Sequence, residues 1–220
     1  MEAMSFDQLR AATGALGSLR AMNVMSALAQ DKSFVEHFYL SGYEGLCVQM
    51  GHEELTRSII STAVPMEGEL LVVGGDELCG LWRRVCASLR IRVSAIDVER
   101  GDVVVATETL LKVNQRITHI LCSTQLDAEV VRRLTELAHR NGRSVIVDST
   151  SDSMDMGDIE KSGVDFAISA GEGDRPVSVI VARRSRLVMT EGNARRREHD
   201  IYMAWQASLE GRTSRIRPMA

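Results

Sequence analysis

The sequence contains very little lysine. Lys32, Lys112 and Lys161 are three of the 26 lysine and arginine residues, which leaves 23 arginines. Lysine supplies the amine that forms a Schiff base with a carbonyl compound, whereas an arginine side chain stays protonated and cannot replace it. Any Schiff-base chemistry in this chain is therefore restricted to three positions.

An excess of positive charge and long apolar runs are also absent. The formal net charge is −4, which argues against nucleic-acid binding through bulk electrostatics. No apolar run approaches the roughly 20 residues that a membrane span needs, and no signal-peptide pattern occurs. Together with the ordinary content of charged and apolar residues, these features predict a globular protein of the cytoplasm, without a nucleic-acid or membrane partner.

Motifs for metal binding and nucleophilic catalysis are missing as well. The cysteines form no CxxC pair and lie in mostly apolar stretches, which predicts reduced, buried thiols. The histidines lack metal-ligand spacing and the HExxH pattern, and no GxSxG sequence marks a serine nucleophile. We therefore predict no metal site. These residues are Cys47, Cys79, Cys86, Cys122, His37, His52, His119, His139 and His199.

The middle of the chain alternates short apolar runs with amphipathic segments. Strands that are nearly free of polar residues and are separated by helices indicate a sheet buried on both faces. The sequence thus predicts an α/β fold with three layers, α/β/α, around a mostly parallel sheet. Strands are predicted at 69–75, 91–98, 117–123, 144–149, 164–170 and 177–184, and helices at 52–64, 76–90, 106–116 and 128–142.

Three places follow predicted strands, where ligands collect in such sheets. They are Ser123 to Gln125, Asp148 with Ser149, and the loop at 169–173. Asp148 ends an apolar strand, where a carboxylate stays ionised only with a partner or solvent. It suits a ligand cation such as a protonated pyridine nitrogen. Alternatively, its side chain caps the following turn.

The loop "ISAGEGDRP" at 168–176 carries two glycines and raises the question of phosphate binding. Glycines allow backbone N–H groups to converge on an anion. However, the loop has neither the GxxxxGK[ST] spacing nor a GxGxxG that opens a helix. Glu172 and Asp174 would also repel a phosphate. A plain connecting loop is the favoured interpretation.

Taken in order, several segments resemble the large domain of class V, fold-type I aminotransferases, which use pyridoxal phosphate. Within that family the resemblance is to 2-aminoethylphosphonate–pyruvate transaminases, and it covers about residues 48–218. The tail "EGNARRREHDIYMAW" matches most specifically, through Gly192, Asn193, Asp200, Tyr202 and Trp205. The other matching segments lie at 57–91, 117–123, 144–170 and 179–187.

The resemblance implies a division of the chain and a set of partners. Residues 1–47 are expected to form an N-terminal helical segment, and 48–190 the aminotransferase-like large domain. Residues 191–220 are expected to begin the connection to the family's small C-terminal domain, and that domain is expected to be missing. The implied cofactor is pyridoxal phosphate. The implied assembly is a homodimer or a pair with a related aminotransferase.

The residues that carry the family's chemistry match only at one position. Asp148 fills the column of the aspartate that pairs with the pyridinium nitrogen of the cofactor. The family's phosphate-binding Gly-Ser-Gly-Thr becomes 50–53, Met-Gly-His-Glu, where Glu53 would place a negative charge at the phosphate. The family's His-Glu-Thr segment falls at about 124–126, Thr-Gln-Leu. The Schiff-base lysine column falls at about Gly173, so no catalytic residue can be assigned.

These departures lead to one functional prediction and two alternatives. The chain is predicted to be a transaminase-like protein that is degenerate and has no transaminase activity by itself. In the first alternative, it is a transaminase-class subunit that a partner chain completes. In the second, it binds pyridoxal phosphate or a phosphonate non-covalently through Asp148.

Overall fold

A computed structural model describes residues 22–23, 42–150, 156–171 and 177–209. Within these ranges eight strands form one sheet: β1 (Met22–Asn23), β2 (Tyr43–Gln49), β3 (Glu69–Gly74), β4 (Arg92–Asp97), β5 (Ile117–Ser123), β6 (Ser144–Asp148), β7 (Phe166–Ser169) and β8 (Val177–Arg183). The helices are α1 (His52–Ala63), α2 (Asp76–Ser88), α3 (Val103–Val113), α4 (Ala128–Arg140), α5 (Met156–Ser162), α6 (Arg184–Val188) and α7 (Ile201–Leu209).

The sheet is mostly parallel, as predicted. Its strand order is β1-β2-β8-β7-β6-β5-β3-β4. The four pairings among β3 to β7 are parallel, and the three that involve β1, β2 or β8 are antiparallel. The parallel strands are joined through helices, because parallel neighbours need a crossover connection. The predicted α/β class is confirmed.

Side chains on alternate positions of each strand face opposite helical layers. In β6, Val145 and Val147 pack with apolar residues of α3, α4 and α5, whereas Ile146 packs with those of α1, α2 and α7. Asp148 has the same parity as Ile146, so it faces α1 and α2. The three-layer arrangement thus decides which helices can reach this carboxylate.

Two boundaries differ from the sequence-based prediction. Strand β2 lies partly within 1–47, which was expected to be helical; residues 22–23 and 43–47 are extended instead. The pairing of β2 with β8 is what makes this stretch a strand, and local sequence does not encode such a pairing. Helix α3 begins at Val103 rather than 106, since the Asp102 side chain accepts hydrogen bonds from the N–H groups of Val104 and Val105.

The amino-terminal edge of the parallel strands contains a buried carboxylate, Asp165. It accepts hydrogen bonds from the Arg186 Nε at 3.0 Å and the Val145 N–H at 2.9 Å, and it lies 2.9 Å from the His139 Nε2. Each interaction fixes a different element next to the start of β7. These contacts hold the amino-terminal edge of the parallel strands together. Asp148 lies at the opposite, carboxyl-terminal edge.

Three of the cysteines are buried free thiols, as predicted. Burial raises the pKa of Cys86 and of Cys122 to about 12, so these thiols are neutral at physiological pH. Cys79 is also buried, and the side chain of Cys47 lies outside the described residues. In the described ranges no helix combines the length and the apolar character that a bilayer span requires.

Candidate functional site

Asp148 lies at the carboxyl end of β6, between the parallel strands β5 and β7. Only 1% of its surface is exposed. The turn after it is closed by neighbouring strands, because the Ser149 N–H and hydroxyl both donate to the Ile168 carbonyl oxygen. The Thr124 N–H donates to the Asp148 carbonyl oxygen at 3.1 Å. The carboxylate is therefore held in a rigid, water-poor position.

The carboxylate of Asp148 is surrounded by donors from this chain. The Nε2 atom of His52 lies 2.6 Å from Oδ2, and the Trp82 Nε1–H donates to the same oxygen at 3.3 Å. The Thr150 N–H donates to Oδ1 at 3.1 Å. The last contact is the turn cap that the sequence offered as the alternative to a ligand. Asp148 thus caps the turn through Oδ1 and also has a second partner at Oδ2. That partner is the side chain of His52 and not a bound ligand.

Topology brings His52 and Trp82 to this edge. Strand β2 runs parallel to β6, because β2 is antiparallel to β8 and β8 is antiparallel to β7. The chain therefore leaves β2 at the carboxyl edge of the sheet, and His52 is the first residue of the helix that follows. Helix α2 likewise starts just after β3, with Trp82 in its second turn facing the sheet.

The electrostatic environment keeps Asp148 ionised. Burial alone would raise the pKa of this carboxyl group. The hydrogen bond and charge interaction with His52, and the hydrogen bonds from Thr150, outweigh burial and lower the pKa below its ordinary value. The buried group is therefore a carboxylate at neutral pH, and His52 is its main stabilising partner.

A pocket of about 410 Å³ lies beside His52 at the start of α1. Burial raises the pKa of Glu54 and lowers the pKa of His199. The Glu54 Oε1 and the His199 Nε2 have no hydrogen-bond partner among the described residues. The pocket is lined by Gly51, His52, Glu53, Glu54, Arg57 and His199.

Glu53 lies in the first turn of α1 and is one of the residues that line the pocket. Its Oε1 lies 2.6 Å from the Arg57 NH2 group, and its side chain is mostly exposed. In the segment 50–53, the side chain of His52 reaches inward to Asp148. The N-cap residue of α1 is Gly51, which has no side chain to accept a capping hydrogen bond.

The lysines in the described ranges lie far from Asp148 in the fold. Lys112 is near the end of α3, is 68% exposed and pairs with Glu108. Lys161 is near the end of α5 and is 80% exposed. Both helices end where they lead into the amino ends of parallel strands, which is the edge opposite to Asp148. Lys32 and the loop around Gly173, with Glu172 and Asp174, lie outside the described residues.

The segment after β5 approaches the site through its backbone. The Gln125 N–H donates to the Ser123 hydroxyl oxygen, and Leu126 packs against the core. The predicted places at 123–125 and at 148–149 thus adjoin at one edge of the sheet. In the described parts of the chain, no three His, Cys, Asp or Glu side chains converge in a manner suited to a metal ion.

Sequence reasoning missed His52 and Trp82 as members of this site. His52 is one of five histidines without ligand spacing, and Trp82 fits the apolar face of the helix predicted at 76–90. One signal was available: both residues lie in helices that follow strands, near the helix start. In a parallel α/β fold such positions meet the carboxyl ends of neighbouring strands.

Gly74, the last residue of β3, contacts Trp82 closely and provides a test of this packing. A Cβ atom added at Gly74 would lie 3.1 Å from the Trp82 Cζ3. Trp82 is fully buried and bonded to Asp148, so it has little freedom to yield. We expect Gly74→Ala to lower the free energy of unfolding by about 1–2 kcal/mol.

The measurement for this substitution is urea unfolding monitored by circular dichroism. Gly75→Ala is the matched control, since a Cβ atom at Gly75 meets nothing within 4 Å. Equal stability of the Gly74→Ala and Gly75→Ala variants would contradict the close packing of Trp82 on β3.

The residues present do not fit the cofactor that the resemblance implies. Both oxygens of Asp148 already accept hydrogen bonds from this chain, and the His52 Nε2 makes the contact with Oδ2 that a pyridinium nitrogen would need. The lysines of the described ranges lie at the opposite edge of the sheet. The assignment of Asp148 to cofactor binding stays a prediction. The hydrogen-bond partners observed for Asp148 are residues of this chain.

Curated relatives of the chain are named for one shared activity. The chain is 30% identical over 162 residues to 2-aminoethylphosphonate–pyruvate transaminase 2 of Burkholderia lata. The alignment covers 66% of this chain and 42% of the relative. The chain is 25% identical over 204 residues to the 2-aminoethylphosphonate–pyruvate transaminase of Bacteroides fragilis, which covers 86% and 56%. The chain thus spans about half the length of the curated relatives it matches. No family model matches the chain.

Solved structures share its fold at low sequence identity. Pyridoxamine–pyruvate aminotransferase of Mesorhizobium loti superposes with a TM-score of 0.58 at 13% identity, covering 98% of this chain and 57% of that one. A PLP-bound C–S lyase of Staphylococcus hominis gives 0.58 at 11% identity, covering 92% and 61%. In sequence the chain is therefore similar to the 2-aminoethylphosphonate–pyruvate transaminases, and in fold to the large domain of the fold-type I aminotransferase family.

Proposed function

We propose that this chain is a transaminase-like protein that does not transaminate by itself. The observation that carries the proposal is the 2.6 Å contact between the His52 Nε2 and the Asp148 Oδ2. The aspartate that would hold the pyridine ring of a cofactor is bonded to a histidine of the same chain. A ring nitrogen cannot use the same oxygen without displacing that histidine.

The distribution of lysine supports the proposal independently. A Schiff base requires an amine within bonding distance of the cofactor aldehyde. The sequence offers three lysines, and the two in the described ranges are exposed at the other end of the sheet. The column of the family's lysine falls at about Gly173, which has no side chain to offer.

Two measurements on the purified chain test the proposal. The first supplies 2-aminoethylphosphonate, pyruvate and pyridoxal phosphate and monitors alanine. The second reduces the mixture of chain and pyridoxal phosphate with borohydride and locates any adduct by mass spectrometry of peptides. We expect no alanine above the protein-free blank and no adduct concentrated on a single buried lysine.

Exposed lysines can react weakly with any aldehyde, so a control is needed. A variant with Lys112→Arg and Lys161→Arg should lose whatever adduct the wild-type chain shows at these surface positions. Alanine formation by the wild-type chain alone would overturn the proposal. So would a stoichiometric adduct at Lys32 that absorbs light as a bound aldimine does.

A second candidate function is a transaminase-class subunit that a partner chain completes, as a homodimer or beside a related aminotransferase. It is favoured by the open pocket next to His52, which leaves one side of the site accessible. The test mixes this chain with a related transaminase whose Schiff-base lysine is intact. A mixed complex with no more activity than the transaminase alone would rule this function out.

A further inference from the structure

We propose that His52 is a built-in ligand of Asp148 that closes the carboxyl end of β6 to pyridine-type cations. The inference deepens the proposed function and rests on the same site. According to this inference, the side chain of His52 alone keeps such cations away from Asp148. It also implies that the Asp148 carboxylate becomes accessible to such ligands when that side chain is removed.

The first support is the state of the carboxylate. Asp148 is almost fully buried, and both of its oxygens are occupied by donors. The contact with His52 is the shortest of the three. His52 is also the only one of these donors that lines the pocket, and its side chain is 26% exposed. Any ligand that enters from the pocket therefore meets His52 before it meets Asp148.

The second support is the rigidity of the segment that carries His52. The Leu55 N–H donates to the Gly51 carbonyl oxygen at 2.9 Å, and Leu55 is fully buried. The carbonyl oxygen of Met50 accepts a hydrogen bond from the Ser178 hydroxyl at 2.6 Å. The backbone on both sides of His52 is thus fixed to the core, and the 2.6 Å contact with Asp148 holds the ring against the carboxylate.

The third support is charge. Without His52, a buried carboxylate would keep only the neutral donors Trp82 and Thr150, and its ionised form would lose its main partner. A protonated pyridine nitrogen supplies an N–H donor and a positive charge in one planar group. A pyridinium ring is therefore the class of ligand that the opened site should prefer over a ring without nitrogen.

The experiment uses pyridoxine 5′-phosphate as the probe, because it has no aldehyde and forms no Schiff base with the exposed lysines. Benzyl phosphate, which lacks the ring nitrogen, is the comparison probe. Binding is measured by titration calorimetry for the wild-type chain and for His52→Ser, His52→Gln and His139→Ser. The glutamine keeps a donor for Asp148, and His139→Ser breaks a second histidine–aspartate pair, His139 with Asp165, at the opposite edge of the sheet.

We expect His52→Ser to bind pyridoxine 5′-phosphate at least about tenfold more tightly than the wild-type chain and both other variants. Benzyl phosphate should show no such gain. Equal affinity of the wild-type chain and His52→Ser would overturn the inference, as would an equal gain for benzyl phosphate. If His52→Ser does not fold, the wild-type chain and His52→Gln still test the inference. Micromolar one-to-one binding of pyridoxine 5′-phosphate to the wild-type chain would overturn the inference. Absence of binding to both proteins would support it.

The outcome is separable from that of the proposed function. A wild-type chain without turnover, together with a His52→Ser variant that gains no affinity, leaves the proposed function standing and removes this inference. Formation of alanine by the wild-type chain removes the proposed function whatever the probes do.

Discussion

Asp148→Ala is expected to lower the free energy of unfolding by about 3 kcal/mol, although its position in the sheet suggests a ligand-binding residue. Removing a buried carboxylate is strongly destabilising when its hydrogen-bond donors stay behind without an acceptor. In this chain the substitution leaves the buried Trp82 Nε1–H and the Thr150 N–H without an acceptor, and it deprives His52 of its partner. Each unsatisfied buried donor adds to the loss.

The measurement is urea unfolding at pH 7, monitored by circular dichroism and tryptophan fluorescence. Asp148→Asn should cost less, about 1–2 kcal/mol, because the amide keeps the volume and one acceptor oxygen. Asp102→Ala, which removes an exposed cap of α3, should cost about 1 kcal/mol and serves as the control for loss of a capping carboxylate. An Asp148→Ala variant as stable as Asp102→Ala would show that the contacts of Asp148 contribute little to folding.

The sign of the pH dependence at Asp148 follows from its lowered pKa. The carboxylate's contribution to stability is present above the ordinary pKa of 3.8 and is lost as the pH falls through the lower value of the folded state. The stability difference between the wild-type chain and Asp148→Asn should therefore shrink in strong acid.

The second large effect is expected from His119, a buried residue of β5. Burial lowers its pKa from 6.5 to about 4, while Asp165 opposes this change and Arg186 adds to it. In this range the unfolded chain binds more protons at His119 than the folded chain does, so the folded state loses stability as the pH falls from about 6.5 to about 4. A tenfold difference in proton affinity is worth 1.36 kcal/mol, so the total loss is about 3 kcal/mol.

Unfolding in urea at a series of pH values between 7.5 and 4 measures this effect. In a His119→Asn variant the contribution should vanish, and the free energy of unfolding should depend less on pH over the same interval. The amide can retain the contact that the His119 Nδ1 makes with the Thr118 hydroxyl, so the comparison at pH 7.5 stays close to the wild type. Parallel pH curves for the two proteins would contradict a buried, neutral His119.

Most of the sheet could be predicted from the sequence because its strands are apolar and its helices are amphipathic. The central strands of residues 69–74, 117–123 and 144–148 were found within one or two residues. Strand β2 was missed, since it becomes a strand by pairing with β8, more than 120 residues further along the chain. Such long-range pairing leaves no local periodic signal.

The candidate site divides in the same way. Asp148 could be singled out because a carboxylate at the end of an apolar strand needs a partner. Its partner could not be named, since His52 and Trp82 lie 96 and 66 residues away in the chain. They reach Asp148 only because β2, β3 and β6 are parallel and their carboxyl ends share one edge.

The sequence alone determined the α/β class, because the alternation of apolar strands and amphipathic helices allows few other arrangements. It also determined the scarcity of lysine, which restricts Schiff-base chemistry in any fold the chain adopts. Only the tertiary structure decided what Asp148 binds. A buried carboxylate takes the donors that the crossover connections bring within hydrogen-bond distance, and here they are His52, Trp82 and Thr150.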